Sequence, residues 1–291
     1  MSITRFRPEI WSATLLVALR KALVYAGPGV VNRDYEGEIR GAGSTVRVTS
    51  ISDPTIATYQ PNSTVISPEE LNDAQRTLVV DQAKYFAFYV DDVDAAQATG
   101  AVMPEAMSRA AYKLADTIDQ YVASLYTGAQ SANVIGSTGA PVQVALSSSP
   151  KNFYDDVLVP LRTKLTRANV PTQGRFCTVS PEAYGFLLKD SRFIKANEAG
   201  TDAGLRNGQV GRAAGFDILE SNNVPNPTGN VHAVTAGTTM AISFAEQISK
   251  TEAYRPQDKF ADAVKGLAVY GAKLVRPEAL AVAYVDAIST S

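Results

Sequence analysis

Cysteine and histidine are almost absent from this chain of 291 residues, which carries one of each, Cys177 and His232. A single cysteine excludes an internal disulfide and any cysteine-rich metal site. A single histidine leaves no second ring for a zinc site and only one possible base for a Ser-His-Asp triad. Cys177 lies in Arg175-Phe176-Cys177-Thr178-Val179, which reads as a buried strand where the thiol acts as a small hydrophobe. That usage fits a reducing compartment. His232 falls in Val231–Val234, another strand, and reads as structural rather than catalytic. Long apolar runs are missing too, none reaching the ~18 residues that span a bilayer. Nor is there an excess of one charge. Lys and Arg total 27 against 29 Asp and Glu, a net charge of −2. Without a basic excess, any contact with nucleic acid is weak and local.

The stretch from Trp11 to Leu19 is apolar, but Glu9 precedes it and Arg20-Lys21 follow it. A secretory signal wants its positive charge first and a small-residue cleavage site after. The pattern instead predicts an amphipathic helix over about Pro8–Tyr25, stopped by Gly27-Pro28-Gly29. The Asn62-Ser63-Thr64 sequon carries no weight without secretion.

Chemistry-bearing motifs are equally scarce. There is no Gly-x-Ser-x-Gly elbow and no phosphate-binding glycine signature. Gly204, Gly208, Gly211 and Gly215 read as loop punctuation with unusual backbone angles. Asp91, Asp92 and Asp94 lack the spacing of an EF-hand and read as a solvated turn or as salt-bridge partners of a neighbour. Glu69-Glu70 and Asp155-Asp156 are sequence neighbours, which on a helix do not face each other. The expectation is a protein with no catalytic residues, no cofactor and no metal.

What is present is a sequence of segments of different character. Residues 35–90 are β-rich: Thr45–Thr49 alternates, Ser67-Pro68-Glu69-Glu70 opens a short helix, and Thr77–Val80 and Tyr85–Val90 read as strands. The first part of this region has few large apolar residues, and a lone hairpin is marginal in water, so it needs a partner surface. Residues 104–127 form the clearest helix, with Met107, Ala111, Leu114, Ile118, Tyr121 and Leu125 on one stripe and Gly128 as the stop. At 1.5 Å per residue it is about 35 Å long. Residues 129–149 are small and polar and read as a loop or loose hairpin. A second helix is expected from Pro150 to about Ala168, capped by Ser149 and kinked at Pro160. Phe176–Val179 follows as a strand and Pro181–Lys189 as a helix capped by Ser180. Short strands come next at Phe216–Leu219, Val231–Val234 and Met240–Phe244. Gly266–Val275 and Ala279–Val285 are expected as a terminal pair joined at Arg276-Pro277-Glu278 beside the long helix. The class is α+β.

Several stretches together carry a resemblance. They are Asp53-Pro54-Thr55-Ile56, Leu71-Asn72-Asp73-Ala74-Gln75, the run from Asp81 to Gln97, Ser221-Asn222-Asn223-Val224-Pro225, and Val275–Leu280. In this order, over nearly the whole chain, they resemble the major capsid (coat) proteins of tailed bacteriophages, which adopt the Hong Kong 97-type fold. The resemblance implies an N-terminal arm at 1–34 and an extended hairpin loop at 35–85. It implies a peripheral domain with a spine helix at 86–128 and 256–291, and an axial α/β domain at 129–255. It further implies pentamers and hexamers of this chain closing an icosahedral virion capsid around double-stranded DNA, assembled in a bacterial host's cytoplasm. The partners it brings are a separate scaffolding protein, if one is used, a portal at one vertex and, where one binds, a decoration protein, with no membrane. The helix starting near Pro8 leaves little room for a fused scaffolding segment. Gly37–Ala83 contains no lysine, so a Lys–Asn cross-link through the loop is not expected.

On this reading Trp11, Leu15, Leu16 and Leu19 anchor the arm helix on an adjacent copy. Arg40, Arg47 and Arg76 in the loop are the ionic candidates, with Asp91, Asp92 and Asp94 of a neighbour as their counterparts. Three alternatives stay open. One is an encapsulin-like nanocompartment with the same fold, another a soluble α/β enzyme binding an anion at Gly200–Gly215, and the third a ligand-binding or adhesion module.

Overall fold

The structure is a computed structural model and describes residues 24–34, 45–51, 56, 58, 60–61, 73–91, 102–145, 153–190 and 211–288. The expected helix starts at Pro8, Ser67 and Pro150, and most of the Gly200–Gly215 loop, lie outside the described residues.

Two sheets and a long helix share one core. In β1 (Thr45–Ile51) and β2 (Asp73–Val79) the chain runs as an antiparallel hairpin, with an unbroken register from Thr45 opposite Val79 to Ile51 opposite Asp73. After Val80-Asp81 the chain enters β3 (Gln82–Asp91), the edge of a small sheet ordered β10-β11-β3. Here β10 is Ile242–Tyr254 and β11 is Ala261–Leu274. Helix α1 (Val102–Ser124) carries the predicted stripe: Met107, Ala111, Leu114 and Ile118 are buried, Tyr121 and Leu125 half-buried. A 3-10 turn, Leu125–Gly128, ends it.

The large sheet is mixed. Its order is β4 (Val134–Ile135), β12 (Leu280–Ile288), β9 (Val231–Thr238), β6 (Arg175–Val179), β8 (Phe216–Glu220) and β7 (Arg212–Ala213), and β5 (Val142–Ala145) also pairs with β12. Strand β6 is buried at every position, as the run around Cys177 predicts. At Ala214-Gly215, with φ of +50° and +83°, the chain turns tightly from β7 to β8. Two positive φ values in a two-residue hairpin give the turn whose twist matches the strands, and glycine takes the second without strain.

Helix α2 (Val159–Arg167) follows a π-helical turn, Phe153–Leu158. Pro160 explains the join: it offers no N–H to the preceding turn, so the wider i→i+5 pattern ends there. Val157, Leu158, Leu161 and Leu165 are buried along one side of these turns, and Tyr154 is half-buried beside them. Arg175, itself buried, closes the far end of α2 by donating to the carbonyls of Val170 (2.6 Å) and Pro171 (2.7 Å) and to Thr166 Oγ1 (3.1 Å). Burial lowers its pKa, with Arg162 nearby adding to the effect. Helix α3 (Pro181–Lys189) is capped as expected, Ser180 Oγ accepting from Ala183 N–H at 3.3 Å.

Several expectations are corrected. Strands β11 and β12 are not a pair: β11 lies between β10 and β3 in the small sheet, and β12 lies in the large one. The connection Arg276–Ala279 is a crossing between sheets, because Gln130 and Asn133 hold the carbonyls of Pro277 and Glu278. The short strand expected at Met240–Phe244 is the start of β10, a strand of 13 residues. The boundary between 129–255 and 256–291 therefore cuts through a β10–β11 ladder. Residues 129–149 are not simply a loop, since β4 and β5 both run parallel to β12. Finally, residues 24–34 of the expected arm belong to the body. Tyr25, Ala26, Val30 and Val31 are in the core, and Asn32 exchanges backbone hydrogen bonds with β10.

Candidate functional site

Among the described residues the one histidine has a single carboxylate beside it. His232 Nε2 stands 3.9 Å from Glu182 Oε2. Among the described residues no cluster of His, Cys, Asp and Glu is placed to hold a metal. Burial pushes the Cys177 thiol well above its ordinary range, which keeps it protonated inside β6.

The small sheet offers a different kind of site. Residues facing each other across a ladder share a face, so the register sorts its side chains. On the inner face Phe86 packs against the core, and Tyr270 meets α1 through an edge-to-face contact with Tyr121 at 5.5 Å. Gly266 makes room there for the Phe86 ring, which a Cβ would approach to 2.3 Å.

Among the described residues the outer face is covered at one end only. Leu78 and Val80, at the root of the hairpin, bury themselves against Ala245 and Val269 in a cluster separate from the main core. Gly271 permits this crossing, since a Cβ on it would lie 2.4 Å from the Val79 carbonyl oxygen. Beyond the root three rows run across the strands: Tyr85–Leu267, Ala87–Lys265–Glu252, and Tyr89–Ala263–Tyr254. Tyr85 is 79% exposed, Tyr89 54% and Tyr254 46%. Phe260, in the turn from β10 to β11, is 82% exposed. Tyr85, Tyr254 and Leu267 line an open groove of about 410 Å³. Charge is sparse and internally matched: Lys265 pairs with Glu252 at 3.0 Å, and Lys259 Nζ donates to Tyr89 Oη at 3.0 Å. Exposed aromatic and aliphatic side chains gathered on one face, with the Lys265–Glu252 pair among them, are the composition of a contact surface.

A sequence model described as phage capsid protein matches residues 73–283. The chain belongs to the phage capsid protein family. A solved chain of Mycobacterium phage Che8 is 32% identical, with 89% of this chain and 90% of that one covered and a TM-score of 0.72. The capsid of Cyanophage P-SCSP1u matches at 16% identity, covering 86% and 85%, with a TM-score of 0.67. The mature capsid of bacteriophage PhiM1 matches at 16%, covering 84% and 82%, with a TM-score of 0.64. No curated protein matches the chain. The fold of this capsid protein is of the Hong Kong 97 type, and the enzyme and nanocompartment alternatives are not favoured.

The residues nominated from the capsid resemblance fall mostly beyond what the structure describes. Trp11, Leu15, Leu16, Leu19, Arg40, Asp92 and Asp94 lie outside the described residues. Arg47 stands opposite Thr77 and Arg76 opposite Val48 in the hairpin ladder, while Asp91 ends β3 opposite Ala261. The aromatic rows are the site that reasoning from the sequence missed. Half of the signal was local: the alternation of Tyr85-Phe86-Ala87-Phe88-Tyr89 puts the tyrosines on one face and the phenylalanines on the other. The other half, Tyr254 and Leu267, is brought alongside only by β10 and β11.

Proposed function

We propose that this capsid protein is the major shell subunit, closing as pentamers and hexamers into an icosahedral head around double-stranded DNA. The observation that carries this reading is the unfinished outer face of the small sheet, with the hairpin rooted beside it. A subunit that works alone has no use for a hairpin held by four residues and an adjoining face of uncovered tyrosines. In a shell, the hairpin of one copy covers such a face on the next. Full burial of a large apolar side chain contributes ~1.5–3 kcal/mol, of which these partly covered residues supply a share each, against ~0–1 kcal/mol for an exposed ion pair. Apolar burial therefore dominates assembly. Arg40, Arg47 and Arg76 against Asp91, Asp92 and Asp94 set register, and Trp11, Leu15, Leu16 and Leu19 add an arm contact.

The working division is arm 1–34, extended loop 35–85, peripheral domain 86–128 with 256–291, and axial domain 129–255. Residues 24–34 are added to the body and β10 to the peripheral sheet. A separate scaffolding protein, a portal at one vertex and a decoration protein complete the head, which assembles in the host cytoplasm. The near-neutral chain suits weak contact with packaged DNA, and the shell closes without catalysis or covalent cross-links.

Sedimentation followed by electron microscopy of the purified chain tests this. Closed particles of megadalton mass are expected. A stable monomer or dimer under all assembly conditions overturns the reading.

A further inference from the structure

Asp119 places a carboxylate on the buried face of α1, where its neighbours Ala115, Ile118, Val122 and Ala123 are all apolar and buried. It is itself only 2% exposed. A carboxylate in such a place is costly unless its oxygens are hydrogen-bonded. They are. Oδ1 accepts three successive backbone N–H groups, from Val24 (2.9 Å), Tyr25 (2.6 Å) and Ala26 (3.3 Å). Oδ2 accepts from the side-chain amide of Asn223 at 3.0 Å. Successive amides turned onto one anion form a backbone nest.

The nest is built by Val24–Ala26, the first of the described residues. The stretch after it is fixed independently. Arg33 donates to the Ala26 carbonyl through Nε (3.0 Å) and Nη2 (2.6 Å), and Asn32 is tied to Ile242 and Phe244 of β10. Asn223 comes from the loop that leaves β8 of the large sheet. One carboxylate thus joins three bodies: the helix α1, the large-sheet loop, and the entry of the N-terminal segment.

We propose that Asp119 is a positioning residue for shell assembly: it fixes where and in what direction residues 1–23 join the body, with Asn223 holding the carboxylate in place. This rests on the capsid reading above. Each subunit of a shell repeats the same contact geometry, so an error at this joint recurs in every copy and misdirects curvature.

The test uses the full chain with Asp119→Asn. The introduced amide keeps the shape, but it sets a donor against the Asn223 Nδ2 donor and weakens three bonds that a charged acceptor makes strong. The double variant Asp119→Asn/Asn223→Asp restores a donor facing an acceptor. Hydrogen exchange of the Val24–Ala26 amides in unassembled protein is the first readout, and the fraction of closed, uniform particles in micrographs is the second. Asp119→Asn is expected to speed exchange at these three amides by about tenfold, the factor that ~1.4 kcal/mol makes in an opening equilibrium, and to lower the closed fraction. The double variant is expected to recover both in part, since it restores the contact with position 223 while the three N–H groups still face a neutral amide oxygen. A role in fold stability alone moves all protected amides together and leaves the 24–26 segment unsingled. Unchanged exchange at 24–26, or faster exchange with particles unaltered, overturns the proposal. If Asp119→Asn does not fold, Asn223→Ala, which leaves the nest in place, must still speed exchange at 24–26, and no change there overturns it equally. If the unaltered chain forms no shells, the capsid reading fails, while the exchange comparison still judges the joint.

Discussion

Cys177 and Tyr270 show how burial sets the chemistry of single residues here. Cys177 is fully enclosed in β6 with its thiol pushed up, so native protein should resist thiol-specific labelling and react only after denaturant is added; fast labelling in buffer contradicts this placement. Burial, with Tyr121 adding to it, raises the Tyr270 hydroxyl to about 12, and burial also raises Tyr25, Tyr121 and Tyr126. A raised folded-state pKa means the folded chain keeps a proton that the unfolded chain releases. The stability this gives is complete below the ordinary tyrosine value of about 10 and is lost as pH rises past it, Tyr270's share going by about 12. The Tyr270 hydroxyl has no hydrogen-bond partner among the described residues. Tyr270→Phe should therefore leave the melting temperature at pH 7 unchanged or higher and make the alkaline decline shallower, as thermal melts from pH 8 to 12 will read. The place of His232 in a strand was legible because the run Val231–Val234 is a local pattern. Asp119 was not, since its ligands come from residues 24–26 and 223.

Among the elements, the hairpin root is the point of greatest leverage. Leu78 and Val80 are the attachment of β1–β2 to the small sheet, and Gly271 is the gap that lets them cross it. Leu78→Ala should cost ~2–5 kcal/mol, the range for a fully buried leucine. Gly271→Ala should cost ~1–3 kcal/mol by overpacking against the Val79 carbonyl. Melts of the unassembled chain will measure both, and particle yield should fall further than melting temperature does, because the loop is freed before the body unfolds. A Gly271→Ala chain that assembles normally would show the root is pliable. Element identity was well written in the sequence: the α1 stripe, the Ser180 cap, the alternation of β1 and the buried run of β6 are all local patterns. Partnership was not. The runs at 266–275 and 279–285 read as a hairpin because they are adjacent and apolar, yet each finds its hydrogen bonds in a different sheet.

At the scale of the whole molecule the balance of apolar and ionic contact decides behaviour. If tyrosine and leucine burial drives association, assembled particles should survive about 1 M salt, where screening shortens the range of surface charges to ~3 Å. Light scattering across a salt series measures this, and disassembly between 0.1 and 1 M would shift the weight to the Arg47 and Arg76 pairs. Denaturing gels of assembled particles should show a single band of the subunit, since the loop region from Gly37 to Ala83 offers no lysine to a cross-link; covalent ladders would refute it.

By itself the sequence determined the class, the long helix, most strand positions and the Ser180 cap, because each depends on residues a few positions apart. Only the tertiary structure decided which strands pair, that residues 24–34 belong to the core, and that Tyr85, Tyr89, Tyr254 and Leu267 lie together on one open face. Those relations join residues more than 200 positions apart, as Asn32 and Phe244 are, and nothing in a local period records which distant edge will satisfy a strand's hydrogen bonds.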